Sequence, residues 1–271
     1  MTCKLYIIAT PLGNLGDITL RAIEIFKTVD TFFAEDSREF HRLLMALNIP
    51  NQGKRVFSYA SHNLKEATDQ AIGILLEGRS VGLVTDRGTP AISDPGSRLV
   101  KRAHEEKIPV IPIPGASSVT TLISVSGMET TSFEFAGFLP TQDKQRNQLW
   151  ESIARKNIPF VFFESPKRIS DTVLELKKQF PQGELFIGRE MTKKFEEYRW
   201  FSLADIPLDF MPQLGEFAVI LVPGNKVVAE DWEKEIALRV ASDKEWAKEI
   251  SKRFGMTSSE IYNALQKIKS K

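Results

Sequence analysis

The chain has 271 residues, 42% of them hydrophobic and 26% charged, with a formal net charge of +1. That length provides one large or two modest domains with a sizeable core, and the balanced charge points to neither DNA nor a membrane as a partner, so any nucleic-acid contact must come from local patches. One cysteine, Cys3, and three scattered histidines, His41, His62 and His104, exclude an internal disulfide and a zinc cluster, so no metal site is expected and a reducing cytoplasm fits.

The opening apolar run is too short for a signal peptide and reads as a strand, Lys4–Ala9. No stretch reaches membrane-spanning length. A glycine-proline loop, Thr10-Pro11-Leu12-Gly13-Asn14-Leu15-Gly16-Asp17, leaves that strand, and Asp17 is the expected N-cap of a helix near Ile18–Lys27. Strand Thr31–Ala34, a helix near Arg38–Leu47, strand Val56–Tyr59 and an amphipathic helix Leu64–Glu77 closed by Gly78 follow. Strand Val81–Thr85 feeds a second loop of the same kind, Asp86-Arg87-Gly88-Thr89-Pro90 and then Ser93-Asp94-Pro95-Gly96. A helix near Ser97–Glu106 and strand Val110–Pro112 complete a βαβα rhythm, which predicts a mostly parallel sheet with helices on both faces. Loops at the carboxyl ends of parallel strands are where open α/β sheets bind ligands. Glycine there allows close backbone approach and proline holds the loop's shape, so two such loops favour a nucleotide-like small-molecule site over plain turns.

Pro112-Ile113-Pro114-Gly115 reads as a hinge. Beyond it come a helix Ser117–Ser126 and aromatic-rich strands Phe133–Gly137, Phe160–Glu164, Leu185–Arg189, Tyr198–Ser202 and Glu216–Val222, with helices near Lys144–Arg155 and Arg168–Gln179 between the earlier ones. Consecutive strands with little helix between them suit a mixed, partly antiparallel sheet. From Glu230 the chain is charged and helical, with helices expected near Trp232–Ala241, Lys244–Arg253 and Ser258–Lys267, the last capped by Thr257. The expected division is residues 1–113, 114–225 and 226–271: two α/β domains and a small helical tail.

The stretches ATPLGNLGDITLRA from Ala9, AEDSR from Ala34, TDRGTPAISDPG from Thr85, PIPGASS from Pro112, GFLP from Gly137, FESPKR from Phe163, GREMTKKFEE from Gly188 and GEFAVILV from Gly215 are similar, in order, to the tetrapyrrole methylase superfamily. Within it they resemble the small-subunit ribosomal RNA (cytidine-2′-O)-methyltransferases. The resemblance implies S-adenosylmethionine in a cleft between the two α/β halves, 16S rRNA of the small ribosomal subunit as substrate, a cytidine of the decoding region as target, and a homodimer. A tetrapyrrole or another small acceptor is the alternative substrate, although those relatives carry Gly-Pro-Gly and Gly-Asp-Pro loops where this chain has Thr10-Pro11-Leu12-Gly13 and Gly88-Thr89-Pro90. Carried onto this sequence, Gly88, Thr89, Pro90 and Ile92 hold the cofactor. Ser117 and Ser118 contact it, Phe163 and Ala218 form apolar walls, and Pro11 with Gly13 shape the floor. Where the family usually has alanine this chain has Arg87, a cation whose expected partner is solvent or RNA phosphate.

A ribose hydroxyl is a poor nucleophile and gains from a positioned base or a cation beside the developing alkoxide. Glu164 and Glu190, near carboxyl ends of strands, are candidates for base or orienter, and Lys193 for the cation. A structural Arg189–Glu190 ion pair is the plainer alternative. Arg38, Lys167, Arg168 and Arg189 are candidates for RNA contact, since clustered cations supply phosphate affinity.

Overall fold

The computed structural model describes residues 3–207, 209–224, 242–254 and 257–269. Contacts group the chain into two units, Met1–Gly224 and Asn225–Lys271.

The first unit contains two five-stranded sheets. Strands β1 (Leu5–Ile8), β2 (Thr31–Ala34), β3 (Arg55–Ser58), β4 (Val81–Val84) and β5 (Val110–Ile113) lie in the order β3-β2-β4-β1-β5, all parallel. Helices α1 (Leu20–Thr28), α2 (Ser37–Ala46), α3 (Leu64–Leu76) and α4 (Ser97–Glu105) make the crossovers. The chain steps one way across the sheet through α1 and α2 and the other way through α3 and α4, so right-handed crossovers put the two pairs on opposite faces. The packing follows: Ile8, Phe32 and Val84 meet Phe26, Phe40 and Leu44 on one face, while Leu5, Phe33 and Leu83 meet Ala71, Leu75 and Leu99 on the other. Each such buried Leu or Phe contributes about 1.5–3 kcal/mol relative to exposure. The expected cap of α1 is displaced. Asp17 ends a short 3-10 turn (Leu15–Asp17), and Thr19 accepts the hydrogen bond from the Ala22 amide instead. Threonine caps as aspartate does, and the intervening turn shifts the helix start by two residues.

Strands β6 (Glu134–Phe138), β7 (Phe160–Glu164), β8 (Glu184–Arg189), β9 (Glu197–Ser202) and β10 (Phe217–Val222) form the second sheet in the order β6-β7-β10-β8-β9. Only β6 and β7 run parallel, so the sheet is mixed. Helix α5 (Ser118–Ser126) covers one face and helices α6 (Asp143–Lys156) and α7 (Ile169–Gln179) the other. Period-two alternation divides β10 between them: Ala218 and Ile220 pack with Val119 and Leu122 of α5, whereas Phe217, Val219 and Leu221 pack with Trp150, Val173 and Leu176.

In the second unit, α8 (Asp243–Phe254) packs against α9 (Ser258–Lys269). Thr257 caps the start of α9, as the sequence predicts, and Glu260 bonds back to it to complete a reciprocal capping box. The expected helix Trp232–Ala241 lies outside the described residues.

Candidate functional site

Strands β1 and β4 are neighbours, yet their crossovers leave toward opposite faces of the sheet. That divergence opens a crevice beyond their carboxyl ends. The two glycine-proline loops meet there. The Thr10 amide donates to the Gly88 carbonyl at 2.9 Å and the Gly88 amide to the Thr10 carbonyl at 3.1 Å. The buried Thr10 hydroxyl donates to the Thr85 carbonyl, and the Thr89 hydroxyl donates to the Ala116 carbonyl at 3.0 Å. The second loop is thereby tied both to the first and to the segment entering α5. Gly88 has φ +80°, strained for other residues, and a Cβ there would press the Leu12 side chain at 3.3 Å, so glycine is favoured at the bridge.

A cleft of about 650 Å³ lies between these loops and the second sheet. Of the residues proposed from sequence, Gly88, Thr89, Ile92, Ser117, Ser118, Phe163, Glu164 and Ala218 line it. Pro11 and Gly13 flank the lining residue Leu12, and Pro90 sits in the loop between Thr89 and Ile92. Ser117 is the N-cap of α5 but makes no side-chain capping bond, so its first-turn N–H donors are left to a ligand or solvent. Met191, Val119 and Phe138 add apolar surface.

Further carboxylates line the cleft beside Glu164: Glu35, Asp36, Glu39, Asp86, Asp94 and Glu216; the motif reading missed the role of Glu35, Asp86 and Asp94. Glu35 accepts from the Thr85 hydroxyl at 2.6 Å, and Asp86 accepts from the Asp36 amide at 3.0 Å. Burial, then the neighbouring Glu35 and Asp86 charges, push the Asp94 carboxyl up to about 6; burial also raises Asp86. The repeated Asp in the second loop was the available signal, since acids gathered at a strand end create a locally negative site.

Of the proposed catalytic and RNA-contacting side chains, Glu164 with Arg168 and Glu190 with Lys193 belong to two ionic groups, and Arg189, Arg38 and Lys167 lie outside both. Glu164 has a fully buried side chain and accepts from the Ser165 amide, the Arg168 guanidinium at 2.8 Å and the Thr172 hydroxyl at 2.9 Å, with Arg146 at 3.9 Å. Its carboxylate anchors α7 and fixes Arg168. The second group runs beside the cleft, whose lining includes Arg87 and Glu216 but not Glu190 or Lys193. Lys193 donates to Glu190 at 2.8 Å and to Glu216 at 3.0 Å, and Glu216 pairs with Arg87. Arg87 therefore pairs with a cleft-lining carboxylate while staying 48% exposed, because the loop after β4 and the start of β10 approach each other closely enough for the opposite charges to meet. The Lys193 stem lies across Gly13, where a Cβ would collide with it. Glu190 does not pair with Arg189. Arg189, the last residue of β8, turns instead to Glu197 and the Leu214 carbonyl, while Glu190 lies beyond the strand with φ +50° and pairs with Lys193. Arg38 is 83% exposed and folded back on Asp36, which its guanidinium holds down to about 2. Lys167 is exposed, next to the lining residue Pro166.

Residues 4–207 match the family of Tetrapyrrole (Corrin/Porphyrin) Methylases. The chain belongs to that family. Among its relatives, "Ribosomal RNA small subunit methyltransferase I" of Halalkalibacterium halodurans is 39% identical over 96% of this chain and 93% of its own length. The protein of the same name from Neisseria meningitidis is 40% identical over 82% and 76%, and that of Thermotoga maritima 39% over 80% and 97%. Solved structures share the fold at lower identity. The methyltransferase CobJ superposes with a TM-score of 0.63 at 15% identity, covering 83% of this chain and 95% of its own, and a diphthine synthase with 0.61 at 16%, covering 81% and 90%.

Proposed function

We propose that this chain transfers a methyl group from S-adenosylmethionine to a ribose 2′-oxygen of 16S rRNA in the small ribosomal subunit, at a cytidine of the decoding region. The observation that carries the reading is the 39% identity, over 96% of the chain, to a relative named for methylating small-subunit ribosomal RNA. A uroporphyrin-III-C-methyltransferase shares the fold at only 20% identity, which ranks a tetrapyrrole or other small acceptor second.

S-adenosylmethionine is the methyl donor of this methylase family, and the cleft suits it. Gly88 forms a cradle that a Cβ would fill, Phe163, Ala218 and Met191 offer apolar walls, and the uncapped start of α5 offers N–H donors to a carboxylate. Glu35, Asp86 and Asp94 suit a ligand with cationic groups. When bound, the cofactor supplies a methyl group on a sulfonium for in-line displacement. The loops position donor and acceptor, the main source of acceleration in such a transfer. Lys193 supplies a cation beside the developing alkoxide, and Glu190 orients it. Glu164 acts as orienter of Arg168, which with Lys167 meets RNA phosphate. A second copy of the chain completes a homodimer, for which the exposed Val125 of α5 and Trp200 of β9 offer apolar surface; Trp200 bonds the Ser126 carbonyl beside it. A cytoplasmic setting goes with the ribosomal substrate, and no described helix is long and apolar enough to cross a membrane.

The test is incubation of purified protein and labelled S-adenosylmethionine with small subunits from cells lacking the enzyme. Label in a nucleotide whose 3′ linkage resists alkaline hydrolysis is the expected result. Label confined to a base, or transfer to a uroporphyrinogen-type acceptor but not to subunits, contradicts the reading.

A further inference from the structure

Phe138 is an anomaly in the cleft wall. Phe163, whose ring it meets, and Phe135 behind that are partly buried, yet Phe138 is 60% exposed while lining the cleft. The exposure is built into the backbone. The pairing of β6 with β7 slips between Phe135 and Phe138, and Gly137 takes φ +68°, a conformation other residues rarely adopt. A Cβ at Gly137 would also collide with the Ser93 hydroxyl of the second loop. The ring is held from behind, edge-on, by Phe163 at 5.6 Å between centroids, and Phe163 is held in turn by Phe135 at 5.1 Å. A flat, braced aromatic face is thus turned to open space.

Cations lie next to that ring on the second sheet's side. The Arg168 guanidinium donates to the carbonyl of Leu139, the next residue, at 3.3 Å, and is locked there by buried Glu164. Exposed Lys167 precedes it. The first sheet's side of the cleft presents Glu35, Asp36, Glu39, Asp86 and Asp94, which repel phosphate, and its lining cation, Arg87, is paired with Glu216. A ligand with a flat apolar part and an anionic backbone fits with its flat part on Phe138 and its phosphate toward Arg168 and Lys167. An unpaired nucleotide has that composition.

We propose that Phe138 is the stacking platform for the nucleobase of the methylated nucleotide, turned out of its RNA context so that its ribose enters the cleft. This rests on the reading of the chain as an RNA 2′-O-methyltransferase. Because stacking accepts any base face, Phe138 supplies affinity and placement, and base identity is read elsewhere.

The experiment compares Phe138→Ala, Phe138→Leu and Phe138→Trp with the unmodified chain, measuring methyl transfer to undermethylated small subunits and calorimetric affinity for S-adenosylmethionine. Expected for Phe138→Ala is about a tenfold rise in KM for subunits, with cofactor affinity within twofold of the unmodified chain. Expected further is recovery in Phe138→Trp and none in Phe138→Leu. An unchanged KM in Phe138→Ala overturns the proposal while leaving the enzyme's function intact. So does an equal loss of cofactor affinity, which makes the ring a cofactor wall, or full recovery by leucine, which makes it generic apolar packing. An unmodified chain that binds cofactor yet labels no subunit RNA overturns the functional reading and this proposal together.

Discussion

Burying a carboxylate is costly unless its charge is met, and Glu164 is met by Arg168, Thr172 and the Ser165 amide, with Arg146 close by. Glu164→Gln keeps the shape but leaves Arg168 without its counter-charge. The expected loss is about 3 kcal/mol in urea unfolding, together with weaker binding of subunits; an unchanged midpoint would show that Arg168 needs no anchor. Asp94 behaves in the opposite sense. Its carboxyl is raised from 3.8 to about 6, so the folded state holds the proton more tightly than the unfolded chain does. The stability from Asp94 is fully present below about pH 3.8 and is lost as pH rises through about 6. Asp94→Asn should therefore unfold at higher temperature than the parent at pH 8, with the gap closing toward pH 4, in scans at several pH values. A gap independent of pH would contradict this. The sequence places Glu164 and Asp94 at strand ends, where chemistry is expected. It does not reveal that Arg146, on a different helix, turns toward the first or that Glu35 crowds the second, because those meetings depend on tertiary packing.

At the scale of elements, βα alternation makes the parallel sheet legible and consecutive strands make the second sheet legible as mixed. Strand order is not legible. Nothing local says that β4 inserts between β2 and β1, yet that insertion brings Thr10 beside Gly88 and creates the crevice. The same order sets Gly82 opposite Phe32, with a would-be Cβ 2.5 Å from the ring. Phe32 is fully buried and has nowhere to go. Gly82→Ala should cost about 1–3 kcal/mol by overpacking, read as a lower urea midpoint with an unchanged slope. A neutral substitution would mean that the ring has free space beside the sheet.

Across the whole first unit, the two sheets face each other over the cleft, and the ionic chain Arg87–Glu216–Lys193–Glu190 joins loops from both. Arg87 and Glu216 are roughly half exposed, so the pair is worth less than about 1 kcal/mol. Arg87→Ala should leave the melting temperature nearly unchanged; a large fall would make the clasp a main support of the fold rather than a feature of the site. On the proposed reading, the cleft between the sheets holds the methyl donor. Calorimetric titration of S-adenosylmethionine into the unmodified chain and into Thr89→Arg tests it most directly, because Thr89 lines the cleft and its hydroxyl ties the loop to Ala116. Saturable binding by the unmodified chain, abolished in a Thr89→Arg variant that still unfolds cooperatively, is the predicted result. Equal binding by both would place the cofactor elsewhere and contradict the account.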